Sequence, residues 1–218
     1  LQDDKYPEIT DVVKNYLNAF LIEDDAKRAE TIAQYVGNLY DINSVKQRTY
    51  VSEYSDVECY TKKGPYDDTY VVYAYYQMGL KNIDTTVPAI SRLYVVRDKK
   101  TGNVYIQNDS GDDIQKYMNK VTKDSDVQDL LKDVQEEFES VKASDPKVKA
   151  YYDAINAKAN EKKNGTTTGT SNNKNETTVS HTSNNATTKA SVTTQAPTTK
   201  VNSTTKPQTT ASKNNKNK

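Results

Sequence analysis

Tyrosine is the residue type in this sequence that could most readily supply chemistry. The chain has 218 residues, with 17 tyrosines, two phenylalanines and no tryptophan. A buried phenol aimed at a developing negative charge can stabilise it, and a carboxylate serves as a base at neutral pH only when desolvation raises its pKa. Four tyrosines lie in segments of alternating polarity that predict strands: Tyr73, Tyr75, Tyr94 and Tyr105.

Carboxylates are poorly placed to work with these tyrosines. No predicted strand clearly directs an aspartate or glutamate inward, apart from Asp56 and Glu58 near the edge of the predicted sheet. The simpler interpretation is that tyrosine replaces Phe and Trp as the bulk of the core, with its hydroxyls reaching the surface. We favour this interpretation over catalysis, and a ligand pocket without chemistry is an intermediate alternative. The sequence therefore predicts no catalytic residue and a protein that is not an enzyme.

The other reactive residue types are scarce. Cys59 is the only cysteine, which excludes an intramolecular disulfide and a cysteine-rich zinc site, and its alternating surroundings predict a buried, inert thiol. His181 is the only histidine and lies in a polar C-terminal segment, which argues against a histidine-based triad or metal site. The acidic run at 108–113 lacks the spacing of a calcium loop and predicts a turn and a helix N-cap. We expect no metal and no cofactor.

A change in composition near Lys162 divides the chain. All the aromatic residues precede it, and residues 163–218 are built mainly from Thr, Asn, Ser and Lys, without Leu or Ile. Such a segment cannot bury enough apolar surface to offset the entropy of ordering its backbone. The sequence therefore predicts a folded domain at 1–162 and a disordered linker or stalk at 163–218.

The two parts carry opposite charge. Residues 1–162 contain 22 Lys+Arg and 29 Asp+Glu, whereas residues 163–218 contain eight lysines and one glutamate. An acidic domain argues against nucleic-acid binding, which needs a basic face to neutralise phosphates. No run of 18 apolar residues is present, so we expect no membrane span in this chain. Repeated Thr-Thr pairs with spaced lysines are typical of a wall-crossing spacer or a glycosylated stalk.

Apolar residues at helical spacing mark the two ends of the domain. They predict helices at 7–22 and about 25–36, and more ambiguously a short one at Asn43–Arg48. Capping boxes at Asp112 and Ser125 predict two further helices. Asp145 followed by Pro146 is a cap and first-turn proline that open a last helix.

Between these helices the period changes to two. The alternation predicts four strands, separated by turn signals at 63–65, around Pro88 and at 99–102: Tyr54–Lys62, Thr69–Asn82, Ile90–Arg97 and Asn103–Gln107. The second strand is apolar or aromatic on both faces, so it is predicted to be central and covered on both sides. Short connections make the sheet antiparallel, and the chain is therefore predicted to be an α+β domain.

Two stretches carry a resemblance to a known family. They are YTKKGPYDDTYVVYAYY at Tyr60–Tyr76 and LKNIDTTVPAISRLYVVRDKKTGNVYI at Leu80–Ile106. They are similar to extracellular domains of Gram-positive bacterial surface proteins. The order of elements resembles the nuclear transport factor 2-like (cystatin-like) cone fold, in which a curved sheet, here four-stranded, wraps around N-terminal helices. The resemblance covers about residues 6–160 and includes no catalytic signature.

The resemblance implies several properties. Cone folds often have a pocket between sheet and helices, where enzymatic relatives use tyrosine and aspartate, and Tyr73, Tyr75, Tyr94 and Tyr105 are the candidates for lining it. Many such domains form a homodimer through the open face of the sheet. Members commonly follow a membrane anchor or a lipid-modified N-terminus, so we expect an extracellular or cell-surface location, with an anchor missing from this chain, which begins at Leu1.

We therefore expect a non-enzymatic extracellular binding or spacing module of a bacterial cell-envelope protein, held by a flexible polar linker. Its expected partner is a cell-wall polymer or another envelope protein. The main alternative is a small-molecule-binding or enzymatic cone-fold domain that uses a tyrosine-lined pocket. A subunit of a secretion or conjugation assembly is a third hypothesis, which rests on analogy of fold alone.

Overall fold

The computed structural model is an α+β domain with five helices and one five-stranded antiparallel sheet among the residues that it describes. These are residues 1–37, 45–108 and 111–164, with the backbone alone for 159–164. In chain order the elements are β1 Gln2–Asp3, α1 Pro7–Ala19, α2 Asp25–Ala33, β2 Val51–Lys63, β3 Thr69–Leu80, β4 Val87–Arg97, β5 Val104–Ile106, α3 Asp112–Val121, α4 Ser125–Ser144 and α5 Pro146–Asn164.

The strands lie side by side in chain order, and each pairs antiparallel with the next. The prediction of four strands is corrected to five, because β1 pairs with the outer edge of β2 at Thr61 and Tyr60. A two-residue strand has no periodicity for a sequence pattern to reveal. Its position is held by the next residue, Asp4, whose carboxylate accepts hydrogen bonds from the Cys59 amide and the Thr10 hydroxyl, both at 2.9 Å.

Strand β3 is central, and both of its faces are buried, as its sequence predicts. One face joins α1, α2 and α5 in what we call the α1-side core, which includes Ile9, Val13, Leu17, Ile32, Val72, Ala74, Tyr76, Leu80, Phe138, Val148 and Tyr152. The other face lies under α3 and α4 in the α3–α4 core, formed by Val71, Tyr73, Tyr94, Met118, Val127 and Leu131. Helix α4 contributes to both cores, through Leu131 and Phe138.

Helix starts are set by local capping. Pro7 opens α1, the Asp24 carboxylate accepts from the Lys27 amide at 2.7 Å in α2, and Asp145 accepts from the Lys147 amide at 2.7 Å in α5. The predicted caps of α3 and α4 are wrong by one residue. Their N-cap residues are Gly111 and Asp124, whose extended backbones leave the helical region, and neither makes a side-chain cap bond.

The remaining differences from the sequence lie at element ends. Helices α1 and α2 end three residues earlier than predicted, at Ala19 and Ala33, and the chain continues in turns. The predicted short helix at Asn43–Arg48 is absent from its described part, residues 45–48, and its start lies outside the described residues. Helix α5 continues two residues past the predicted boundary at 162, and residues 165–218 lie outside the described chain. Among the described helices, none combines the length and apolar character that crossing a bilayer requires.

Candidate functional site

The four candidate tyrosines lie on one face of the sheet, toward α3 and α4 and away from α1. Tyr73 and Tyr94 belong to the α3–α4 core. Tyr75 is two residues from Tyr73 along β3, and Tyr105 pairs with Val96, which packs against the same core. Residues directly opposite each other in an antiparallel sheet share a face. The four phenols do not converge, however, because each is engaged in a different environment.

Tyr73 is bonded to the turn between α3 and α4. Its hydroxyl lies 2.9 Å from the Thr122 hydroxyl, which also accepts from the Arg92 guanidinium at 2.8 Å. The Thr122 hydroxyl donates its own proton to the Met118 carbonyl at 2.7 Å, so Tyr73 must be the donor to Thr122. Burial lowers the pKa of Arg92 and raises the pKa of Tyr73. This phenol holds the helical turn on the sheet.

Tyr75 faces a carboxylate. Its hydroxyl donates to Glu137 on α4, 3.1 Å from either oxygen, and Gln77 donates to the same carboxylate at 2.9 Å. Burial, and then the hydrogen bond to Glu137, raise the pKa of Tyr75 to about 12. A second pair joins the Tyr60 hydroxyl to Glu58 at 2.8 Å. Both carboxylates are solvent-exposed, so neither has the desolvation that a base needs at neutral pH.

Tyr94 is buried, and its hydroxyl has no hydrogen-bond partner of good geometry among the described residues. Burial raises the pKa of Tyr94 overall, although the nearby Thr69 hydroxyl acts to lower it. Thr69 donates its hydroxyl proton to the Tyr66 carbonyl, at 2.7 Å. The ring of Tyr105 packs against Gly37, where a Cβ atom would lie 2.5 Å from a ring carbon. Tyr94 therefore fills space in the α3–α4 core, and Tyr105 fills space beside the chain that follows α2.

Asp56, Glu58 and Cys59, which the sequence singles out, do not form a site with the four candidate tyrosines. Asp56 has a φ of +48° at an irregularity in the β2–β3 pairing and is exposed, as is Glu58. Neither therefore points inward. Cys59 is 1 % exposed, which confirms the predicted burial, and burial raises the pKa of its thiol to about 12. No group of three or more His, Cys, Asp or Glu side chains in the described ranges is arranged to hold a metal ion.

Arg48 forms a polar centre that the sequence pattern did not reveal. Its guanidinium carbon lies 4.3 Å from the centre of the Phe20 ring and 5.8 Å from that of Tyr54. One guanidinium nitrogen donates to the Tyr54 hydroxyl at 2.8 Å. Arginine stacks favourably on aromatic faces because its weakly hydrated, planar cation is attracted to the ring electrons. Arg48 is half-buried at the margin of the α1-side core.

Phenols surround this guanidinium. Burial raises the pKa of Tyr16 and of Tyr50, while the charge of Arg48 acts to lower both. The same two influences bring the pKa of Tyr54 to about 12. Burial acts to lower the pKa of Arg48, but coupling to the phenols, first among them Tyr54, raises it overall. At neutral pH the site therefore consists of one cation and several neutral hydroxyls.

Tertiary contact alone assembles the Arg48 site. Tyr16 and Phe20 come from the end of α1, Tyr54 from β2 and Tyr76 from β3, and each reads in the sequence as ordinary core. Arg48 follows the segment whose structure the sequence leaves ambiguous. The one local signal is the position of Arg48 just before β2, two residues ahead of Tyr50 and six ahead of Tyr54.

No protein-family model matches the chain, and no curated protein or solved structure is significantly similar to it.

Proposed function

We propose that this chain is a non-enzymatic binding or spacing module of a bacterial cell-envelope protein, acting outside the cell. The observation that carries the proposal is the use of the strand phenols. The Tyr73 hydroxyl donates to Thr122 and the Tyr75 hydroxyl donates to Glu137. Both acceptors lie in the helical layer, so these bonds connect α3 and α4 to the sheet. A phenol has one hydroxyl proton, and a phenol that donates it to the helical layer has none to give to a developing negative charge.

The composition of residues 163–218 supports the location. Thr-Thr pairs, asparagines and eight lysines suit a polar spacer between the domain and another part of the envelope. Spaced positive charges also favour weak, salt-sensitive contact with anionic wall polymers. In this proposal the domain binds, and the spacer sets its distance from the wall or from a neighbouring domain.

The relation to the cone fold belongs to the same proposal. Helices α1 and α2 precede strands β2–β5, and α1 packs against the central strand, an arrangement that is compatible with the cone-fold order of elements. We do not extend the proposal to a homodimer through an open sheet face. Helices α3 and α4 cover Val71, Tyr73 and Tyr94 on the face opposite α1.

Sedimentation with isolated Gram-positive envelopes tests the function. The full chain is mixed with envelopes at about 20 mM and about 500 mM salt, because the higher concentration screens exposed charges beyond a few ångströms. A matched variant carries glutamine in place of all eight tail lysines. We expect both proteins to sediment with the envelopes, and the variant to lose only the salt-sensitive part. No retention of the full chain at low salt, or complete loss in the variant, would refute binding by the domain.

The alternative function, an enzyme or small-molecule carrier with a tyrosine-lined pocket, rests on the Tyr75–Glu137 pair, a phenol facing a carboxylate. It predicts that an apolar ring compound raises the melting temperature and that Tyr75→Phe abolishes any turnover. An unchanged melting temperature across a set of such compounds would remove this alternative.

A further inference from the structure

Two of the described arginines, Arg48 and Arg92, are half-buried and have no carboxylate partner among the described residues, and Arg92 donates instead to Asn119 and Thr122. Arg28 pairs with Asp25, and Arg97 pairs with Glu8. Within the described part of the chain, Arg48 forms no ion pair, and its side chain makes one hydrogen bond, to the neutral Tyr54 hydroxyl. A guanidinium carries five N–H donors in a planar fork. Arg48 therefore has donors left for a group that does not belong to the described chain.

The guanidinium is held in place before any ligand arrives. The Arg48 amide donates to the Phe20 carbonyl at 3.1 Å, and the Arg48 carbonyl accepts from the Val51 amide at 3.0 Å. Phe20 meets Tyr16 edge to face, with ring centres 5.1 Å apart, and so fixes the ring on which the guanidinium stacks. Tyr54 meets Tyr76 in the same manner at 5.3 Å. A preorganised cation loses little side-chain entropy when it binds.

The rings around Arg48 also supply hydroxyl donors. Tyr16 and Tyr54 are 6 % and 5 % exposed, so their rings form a dry wall. Tyr50 is 38 % exposed and gives the site an open side. The hydroxyl of Tyr76 is already paired with that of Ser91 at 3.1 Å, so Tyr76 is not assigned to the site.

The geometry points to a binding site for a carboxylate carried on a small apolar or aromatic molecule, formed by Arg48 with Tyr16, Tyr50 and Tyr54. A planar carboxylate matches the guanidinium fork, and such charge-assisted pairs are among the strongest hydrogen bonds in proteins. In the described part of the chain, the Arg48 guanidinium is the one cation over the Phe20 and Tyr54 rings, so the site balances one negative charge. A phosphate dianion would lack a second cation. The aromatic wall suits a flat apolar body.

Titration of the full chain with benzoate tests the site, by calorimetry and by the NMR shift of the Arg48 side-chain N–H. Benzamide, the neutral isostere, and inorganic phosphate are the comparison ligands. We expect benzoate to bind and to shift the Arg48 signal, and Arg48→Gln to weaken binding by about 10- to 100-fold. Tyr50→Phe removes one exposed hydroxyl and should weaken binding by about 3- to 10-fold. Lys46→Gln removes a neighbouring exposed charge and should leave the affinity unchanged.

Several outcomes would overturn the site. These are no benzoate binding up to about 10 mM, where even weak pairs register, equal affinity for benzamide, preference for phosphate, or unchanged affinity in Arg48→Gln. If Arg48→Gln does not fold by circular dichroism, the Arg48 shift and the Tyr50→Phe variant decide. The inference goes beyond the proposed envelope function and does not depend on it. Loss of envelope retention with intact benzoate binding would refute that function alone.

Discussion

Tyrosine hydroxyls on β3 fasten helices to the sheet at two sites that differ in burial. Tyr73, 1 % exposed, reaches Thr122 at the turn between α3 and α4. Tyr75 reaches Glu137, whose carboxylate is open to water. Water competes for an exposed hydrogen bond but cannot replace a buried one, so deletion of the same oxygen should have unequal consequences.

Tyr73→Phe should lower the free energy of unfolding by about 1–2 kcal/mol, because it removes the hydrogen bond that the Thr122 hydroxyl accepts between the sheet and the helices. Tyr75→Phe, the matched exposed deletion, should cost less than about 0.5 kcal/mol. Urea denaturation of both variants measures the two values. Equal losses would mean that these bonds do not differ in burial as described.

The Cys59 thiol should be unreactive in the folded protein. Burial raises its pKa to about 12, so very little thiolate is present at pH 8. We expect a disulfide reagent to label Cys59 only after denaturant unfolds the domain. Stoichiometric labelling of the native chain within minutes would contradict the burial of Cys59.

At the scale of elements, the sequence predicts best those segments whose pattern is long and regular. Alternation over β3 and β4, and helical spacing over α4, placed each element within a few residues of its position. Strand β1 has only two residues, and its pairing depends on Asp4, which is distant in sequence from Cys59. The observed helix ends differ from the predicted ones because a helix begins or ends where the backbone angles of one residue leave the helical region. Composition does not determine those angles.

Phe138 shows how one helix serves both cores. It is fully buried and meets Tyr152 of α5 edge to face at 4.8 Å, so it ties α4 to α5 and to the α1-side core. Phe138→Ala should lower the free energy of unfolding by about 3–5 kcal/mol through lost burial and the cavity left behind. Asp133→Ala, on the exposed face of the same helix, should change it by less than about 0.5 kcal/mol. Denaturant melts compare them, and similar effects would contradict this packing.

Asp145 joins the start of α5 to the loop before β4. The Thr85 hydroxyl donates to its carboxylate at 2.6 Å, and this bond, with the amide of Lys147, lowers the pKa of Asp145. A carboxylate with a lowered folded-state pKa contributes stability above its unfolded pKa of about 3.9 and loses that contribution as the pH falls further. Asn keeps a capping acceptor but has no charge.

The stability advantage of the native chain over Asp145→Asn should therefore be full at pH 6 and shrink below about pH 4. Thermal melts at several pH values measure it. An advantage that is constant from pH 6 to pH 2.5, or that grows on acidification, would contradict the assigned role of the charge.

At the scale of the whole molecule, the site depends on contacts that no local pattern encodes. The fold class and the two-sided burial of β3 follow from periodicity. Arg48 lies in a loop, and it contacts Phe20 at the end of a helix and Tyr54 on a strand. Periodicity identifies each of these residues only as core or loop and does not predict that they meet. The same limit explains why the four strand tyrosines were grouped, although Tyr73 and Tyr75 bind different partners on the helical layer.

The opposite charges of residues 1–162 and 163–218 give the chain an acidic domain beside a basic segment. We propose that the first binds and the second acts as a spacer, both outside the cell. Labelling of intact producing cells with an antibody against the domain tests this assignment most directly. We predict labelling without permeabilisation, and its loss after external protease treatment. Labelling that requires cell lysis would contradict the account.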